Sequence, residues 1–240
     1  MGKVRLYIDH PLAAGQPVAL GGPQAHYLSG VMRLGQGAEI EIFNGRDGAW
    51  SARIDAANKR GGTLTALAQV APQRDPPDLW LLFAPIKKAR TDFIVEKAAE
   101  LGAARILPVQ TEFTNAERVR QDRLQAHAVE AAEQCGGTFV PPVDDLQPLS
   151  RLLDGWSAGR RILWADEAMA GPAATLAGLA PGPWAILIGP EGGFSDSERA
   201  RLAAMDGVTR ISLGPRILRA DTAAVAALTL WQSMLGDWAV

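Results

Sequence analysis

The stretch LIGPEGGFSDSE, residues 187–198, decides how the rest of the chain is read. An apolar run ends at Ile188, and three glycines, a proline and a glutamate follow within five residues. Glycines at a strand end let the backbone turn with positive φ and let a ligand approach the main chain. Ser195-Asp196-Ser197-Glu198 then has the spacing of a capping box, in which serine and glutamate satisfy each other's backbone N–H groups and start a helix. Strand, loop and helix start are thus specified within about a dozen residues, as in a parallel sheet covered by helices. In open sheets of this kind ligands sit beyond the C-terminal ends of the strands.

The loop is not a phosphate cradle of a familiar type. The chain contains neither G-x-x-x-x-G-K-[ST] nor G-x-G-x-x-G, and Glu191 would repel phosphate. Glu191 suits a ribose hydroxyl, an amine or a backbone turn, and a tight connection with a local acceptor remains the plain alternative. A second loop shifts the balance. SLGPRILRADTAA, residues 212–224, also follows an apolar run, repeats Gly-Pro, and leads into an alanine-rich segment with Asp221 or Thr222 as the expected helix cap. Two such loops at the ends of two parallel strands can wall one pocket, with Arg216 and Arg219 bringing positive charge and Asp221 available as acceptor or base.

Working outward, the surroundings are α/β in rhythm. Strands are expected at residues 79–85, 105–109, 161–164, 184–189 and 210–214. Helices are expected over TDFIVEKAAELG, with Phe93, Ile94, Lys97, Ala98 and Leu101 on one face and Gly102 as its end, over residues 117–135 with Gly136-Gly137 as stop, after Ser195, and to about Leu235. Residues 72–78 hold three prolines and two aspartates, the composition of an extended linker. Before them the pattern is β-like: EIEIF (39–43) alternates, Asn44-Gly45 is a turn pair, AWSARI (49–54) can return, and TLTALAQV (63–70) is a further strand. A small β-barrel with a short helix near residues 25–33 is expected there, giving domains at 1–72 and 76–240.

Composition narrows the classes. No run reaches the ~18 apolar residues of a membrane span, and the N-terminal residues show no secretory signal. One cysteine, Cys135, excludes an internal disulfide and fits a reducing cytoplasm. The three histidines are scattered, so no metal site is expected. The net charge of −2 divides unevenly: residues 1–74 carry eight Lys/Arg against five Asp/Glu. A mildly basic N-terminal part on an acidic body can touch phosphates locally, although a solvated surface has the same composition.

Several stretches together resemble the ribosomal RNA small subunit methyltransferase E family of the SPOUT class. ILIGPEGGFS and LGPRILR match the two signature loops. HYLSGVMRLGQG (26–37), IVEKAAELGAARILPV (94–109) and EQCGGTFVPPV (133–143) match segments along the remainder. Where the family usually has Thr-Glu-Thr after the second loop, this chain has Ala220-Asp221-Thr222, and Gly137 stands where arginine is common. The resemblance implies an α/β-knot methyltransferase domain with a mostly parallel sheet and a deep trefoil knot, and an N-terminal PUA-like β-barrel that helps hold RNA. It implies S-adenosylmethionine as cofactor, N3 of a uridine in 16S rRNA of the small ribosomal subunit as target, and a homodimer.

On that footing Leu163, Trp164, Ile188, Gly189, Pro190, Glu191, Gly192, Gly193, Leu213, Gly214, Ile217, Leu218 and Thr222 are the expected cofactor contacts. Asp221 or Glu191 is the expected base for the N3 proton, and Arg219 the group that stabilises charge on the uracil oxygens. Arg5, Arg33, Arg46, Lys87, Lys88, Arg90 and Arg216 are the expected RNA contacts. Cys135 is expected to be a small buried residue rather than a nucleophile, and His26 a histidine of the barrel core. The rival readings are a SPOUT 2′-O-ribose methyltransferase and a non-catalytic RNA-binding assembly factor.

Overall fold

The computed structural model describes residues 4–115, 118–169, 176 and 178–239. The chain divides into two compact units, Met1–Asp75 with Ala132–Val140, and Pro76–Ala131 with Pro141–Val240.

Among the described residues, the first unit is built on a five-stranded sheet. Its strands are β1 (Arg5–Tyr7), β2 (Pro17–Leu20), β3 (Glu39–Phe43), β4 (Ala49–Asn58) and β5 (Gly61–Ala71), in the order β1-β3-β4-β5-β2. Only β1 and β3 pair in parallel. The alternation of EIEIF buries Ile40 and Ile42, and register shifts along the β4–β5 ladder curl the sheet around them with Ile8, Val18, Leu28, Ile54 and Leu64. Between β3 and β4 the loop is wider than a two-residue turn. The side chain of Asn44 is buried and donates to the carbonyl of His10 (2.8 Å) and to Asp47 Oδ2 (2.6 Å). Asp47 Oδ2 also accepts from Leu12 N (2.9 Å).

The helix expected near residues 25–33 lies earlier and changes type. α1 spans Gly22–His26, and one π-helical turn continues over Tyr27–Val31. Gly30 makes room for the His26 ring, which a Cβ there would meet at 2.6 Å. His26 is exposed on this turn and is not a core residue. Residues 132–140, expected in the C-terminal domain, pack with the first unit because Arg5 gathers them. Its guanidinium donates to the carbonyls of Ala132 (2.9 Å) and Gly137 (2.8 Å) and to Glu41 (2.6 Å), and lies 4.7 Å from the Phe43 ring. With its side chain 11% exposed, Arg5 is a structural cation and not a free RNA contact.

The second unit holds a parallel sheet in the order β11-β9-β10-β6-β7-β8. The strands are β6 (Leu79–Phe83), β7 (Arg105–Gln110), β8 (Gln147–Pro148), β9 (Arg161–Ala165), β10 (Trp184–Ile188) and β11 (Val208–Ile211). Every residue of β10 is buried, as expected for a central strand covered on both faces. Its helices are α2 (Lys88–Glu100), α3 (Gln121–Cys135, whose residues from Ala132 on belong to the first unit), α4 (Leu149–Asp154), α5 (Asp196–Ala204) and α6 (Ala220–Leu235). Among the described residues no helix is long and apolar enough to cross a membrane.

Four sequence expectations shift here. α2 buries Thr91, Asp92, Ile94, Val95 and Ala98, whereas Phe93 is 39% exposed and stacks under the Lys97 amino group. β11 starts and ends earlier than expected, because Ser212 Oγ hydrogen-bonds Gly214 N (3.2 Å) and turns the chain there. The N-cap of α6 is Arg219, so Asp221 and Thr222 already lie in the first turn. Residue 117, the expected start of α3, lies outside the described residues. Cys135 is exposed at the end of α3, not buried.

Candidate active site

β9, β10 and β11 are neighbours, and the segments that leave their C-terminal ends converge on a cleft of about 200 Å³. Three segments wall it. The first runs from Ala165 through Asp166 and Glu167 to Met169, the second from Ile188 to Glu191, and the third from Leu213 to Ala223. The two Gly-Pro loops, more than twenty residues apart in sequence, therefore meet because their strands flank β9 on either side. The walls are mainly apolar, with Ile188, Leu213, Ile217, Leu218, Ala220 and Ala223 among them. Ile217 is 78% exposed, an apolar side chain at the mouth that a bound molecule would cover.

The GPEGG loop is held from beneath. Phe194 packs under Gly189 so closely that a Cβ there would meet its ring at 2.7 Å. The Phe194 ring in turn meets the Trp164 ring edge-on at 5.6 Å. Ser195 Oγ accepts from Glu198 N (3.3 Å), and Glu198 Oε2 accepts from Ser195 N (2.9 Å), which completes the capping box. The other oxygen of Glu198 accepts from Glu112 N (2.9 Å), so one side chain fixes the start of α5 and a neighbouring loop.

The charges are arranged around Arg199 of α5. Its guanidinium bridges Asp166 and Glu167, while its Nε donates to the carbonyl of Phe194 (3.0 Å). Burial acts to lower the Arg199 pKa, but its hydrogen bond to Asp166 and the charges of Asp166 and Glu167 outweigh that and raise it above the ordinary arginine value. Asp166 has no exposed side-chain surface and also accepts from Arg210 Nε (2.6 Å). It is an anchor, whereas Glu167 is the carboxylate of this pair with exposed surface, 33%. Gly193, with φ +71°, leaves the space that Glu167 fills. Glu191 is exposed at the cleft and makes no hydrogen bond or ion pair among the described residues. Arg216 and Arg219 line the facing wall, so the cleft is acidic on one side and basic on the other.

Of the residues expected from sequence, Ile188, Gly189, Pro190, Glu191, Leu213, Gly214, Arg216, Ile217, Leu218 and Arg219 line the cleft. Leu163 and Trp164 do not. Both are fully buried in β9, with the Trp164 ring edge-on against the Phe194 that underlies the GPEGG loop, and the cleft begins one residue later. Gly192, Gly193 and Thr222 are likewise behind or beside it. Asp221 does not line it either. Its Oδ2 accepts from Arg90 Nη1 at 2.8 Å, which ties α6 to α2 and makes Arg90 a structural partner. Sequence reading missed Ala165, Asp166, Glu167, Met169, Ala220 and Ala223. The signal was present: ADE follows the strand RILW as GPEGG follows its own, at the same end of the sheet. Arg33, Arg46, Lys87 and Lys88 are exposed. Among the described residues no group of three His, Cys, Asp or Glu is placed to hold a metal ion.

Comparison with known proteins gives a consistent likeness. A family model described as an RNA methyltransferase domain matches residues 73–232, and one described as an RNA methyltransferase PUA domain matches residues 20–67. The chain is 31% identical over 227 residues to the ribosomal RNA small subunit methyltransferase E of Synechocystis sp., covering 91% of this chain and 73% of that protein. It is 29% identical over 228 residues to the protein of the same name from Rickettsia conorii, covering 93% of each. Among solved structures, the ribosomal RNA small subunit methyltransferase E of Neisseria gonorrhoeae bound to S-adenosyl methionine superimposes with a TM-score of 0.89 at 29% identity, covering 99% of this chain and 100% of that one.

Proposed function

The chain belongs to the ribosomal RNA small subunit methyltransferase E family, and from that premise we propose that it methylates N3 of a uridine in 16S rRNA with S-adenosylmethionine as methyl donor. The observation that carries the reading is the convergence of both Gly-Pro loops on one cleft at the C-terminal ends of β9, β10 and β11.

The cleft fits this cofactor chemically. S-adenosylmethionine carries a sulfonium charge and no phosphate, so glycine-rich main chain, apolar walls and carboxylates suit it better than a nest of lysines. When bound it supplies an electrophilic methyl group and leaves as a neutral thioether. The remaining work falls to side chains of this protein. N3 of uridine is a poor nucleophile while protonated. Glu191, unpaired and at the mouth, takes that proton as general base. Arg219, at the start of α6, holds the negative charge that spreads to the uracil oxygens as the proton leaves. Asp221 acts one step removed, by fixing Arg90 and the first turn of α6. Alignment of N3 with the methyl carbon supplies much of the rate. Arg33, Arg46, Lys87, Lys88 and Arg216 are the cations offered to RNA, and a homodimer with a trefoil-knotted second unit, acting in the cytoplasm, completes the proposal.

Methyl transfer at saturating cofactor by Glu191→Gln and Arg219→Ala tests the roles. Each is expected to lose about a hundredfold or more in turnover, and near-wild-type turnover in both removes the assignment. Nucleoside mass spectrometry of 16S rRNA from a strain lacking the protein tests the position. Loss of 3-methyluridine, restored by complementation, supports the proposal. Loss of a ribose-methylated nucleoside instead overturns it.

A further inference from the structure

A second cavity, of about 320 Å³, opens in the same unit at the end of β6, where Pro85 and Ile86 leave the strand. Its walls bring together four cations, Lys88 at the start of α2, Arg118 and Arg120 just before α3, and Arg123 in the first turn of α3. In a chain of net charge −2 this is a local concentration of positive charge. Asp92 is the one carboxylate lining it, and Arg123 Nη2 already binds Asp92 Oδ2 at 2.5 Å. Arg120 pairs with the exposed Asp122 (2.6 Å). Lys88 and Arg118 are exposed and have no ion pair among the described residues. Two uncompensated cations therefore face a concave space beside two whose charges are balanced.

The cavity's position relates it to the cleft. β6 is hydrogen-bonded to β10, and both cavities open at the C-terminal ends of their strands. Lys88 and Thr91 of α2 line the second cavity, and Arg90 between them reaches Asp221, whose neighbours Ala220 and Ala223 line the cleft. One ion pair, Arg90–Asp221, thus lies between the two openings. Both openings therefore lie at the same end of one sheet.

We propose that the basic cavity between the starts of α2 and α3 is a phosphate subsite for the RNA strand, holding a backbone phosphate near the target nucleotide through Lys88 and Arg118. The proposal rests on the reading of the protein as an RNA methyltransferase. Phosphate contacts position a nucleic acid without reading its sequence, and each releases bound counterions. The subsite accordingly acts on RNA affinity, not on cofactor binding or on the chemical step.

The test uses the full-length protein with 16S rRNA from a strain lacking it, and compares wild type, Lys88→Ala/Arg118→Ala and Arg151→Ala. Arg151 is an exposed cation of the same unit that lines neither cavity. The double variant is expected to bind RNA about tenfold more weakly, with the dependence of log K on log salt shallower by about two. Its affinity for S-adenosylmethionine stays at the wild-type level, and Arg151→Ala matches wild type throughout. An unchanged salt slope and RNA affinity in the double variant overturn the subsite. So does a loss equal to that of Arg151→Ala, or tight binding of inorganic phosphate that Lys88→Ala/Arg118→Ala abolishes without weakening RNA binding. Failure of the wild type itself to bind or methylate RNA overturns instead the reading on which the subsite rests.

Discussion

Gly193 and Glu167 show how one residue licenses another. Gly193 has φ +71°, and a Cβ there would overlap Oε1 of Glu167, which Arg199 holds in place. Gly193→Ala therefore incurs both left-handed backbone strain and displacement of a carboxylate from the cleft wall. It is expected to destabilise the protein by about 1–3 kcal/mol in thermal unfolding and to weaken S-adenosylmethionine binding measurably. A variant with wild-type melting and cofactor affinity would contradict this reading. Asp47 gives a pH signature in the other unit. Its hydrogen bond from Leu12 N, then that from Asn44, hold its pKa below the ordinary carboxylate value, against a smaller effect of burial. A depressed folded-state pKa contributes stability that is present above the unfolded value of about 3.9 and is lost as pH falls through the folded one. Denaturant unfolding of wild type and Asp47→Asn should differ most near pH 6, and the gap should close only as pH falls below about 4 towards the folded-state pKa. A gap that stays constant across that range rules the linkage out. Both residues lay in recognisable sequence, but neither pairing is local enough to read: Glu167 is 26 positions from Gly193, and Leu12 is 35 from Asp47.

Elements followed their sequence signals where those signals were local. EIEIF became β3 without adjustment, because an alternating run with one buried face has only one register that hides its isoleucines. The start of α5 came from its capping box, whose two hydrogen bonds span three residues. Ser195→Ala removes one of them and is expected to cost about 0.5–2 kcal/mol, visible as a lower melting temperature. If Ser195→Ala melts like wild type, the Glu112–Glu198 contact rather than the cap fixes this helix. Elements departed from sequence expectation where a neighbour made the decision. α2 turns Ile94 and Val95 inward and leaves Phe93 outside under Lys97. α6 begins at Ala220 with no side-chain cap, and its first turn is instead tied down by Arg90 of α2. Arg5 was expected to meet RNA as a basic residue in a basic segment. It is instead consumed by Glu41 and by carbonyls more than 120 positions away.

At the scale of the whole molecule, the cleft lies within one unit and is made by three neighbouring strands. A ligand that binds only the folded protein adds stability by mass action, about 2.7 kcal/mol at a concentration one hundred times its Kd. Calorimetry with S-adenosylmethionine at that excess should raise the midpoint at which this unit's core melts, and superimposable thermograms would remove the cofactor from the proposal. The sequence by itself determined the α/β alternation, the proline-rich joint, the strand–loop–helix of GPEGG and its twin, and through them the likeness to a family. All are encoded in residues that touch their near neighbours, as glycine φ angles, capping pairs and apolar periods are. Only the tertiary structure decided which strands lie side by side. That order set both Gly-Pro loops against the unnoticed ADE segment, buried Trp164 against Phe194 instead of in the cofactor cleft it was expected to line, and drew Asp221 away to Arg90. Strand order and ion pairing are settled by the burial of whole faces and the charges that burial brings together, and no short window of sequence contains both partners.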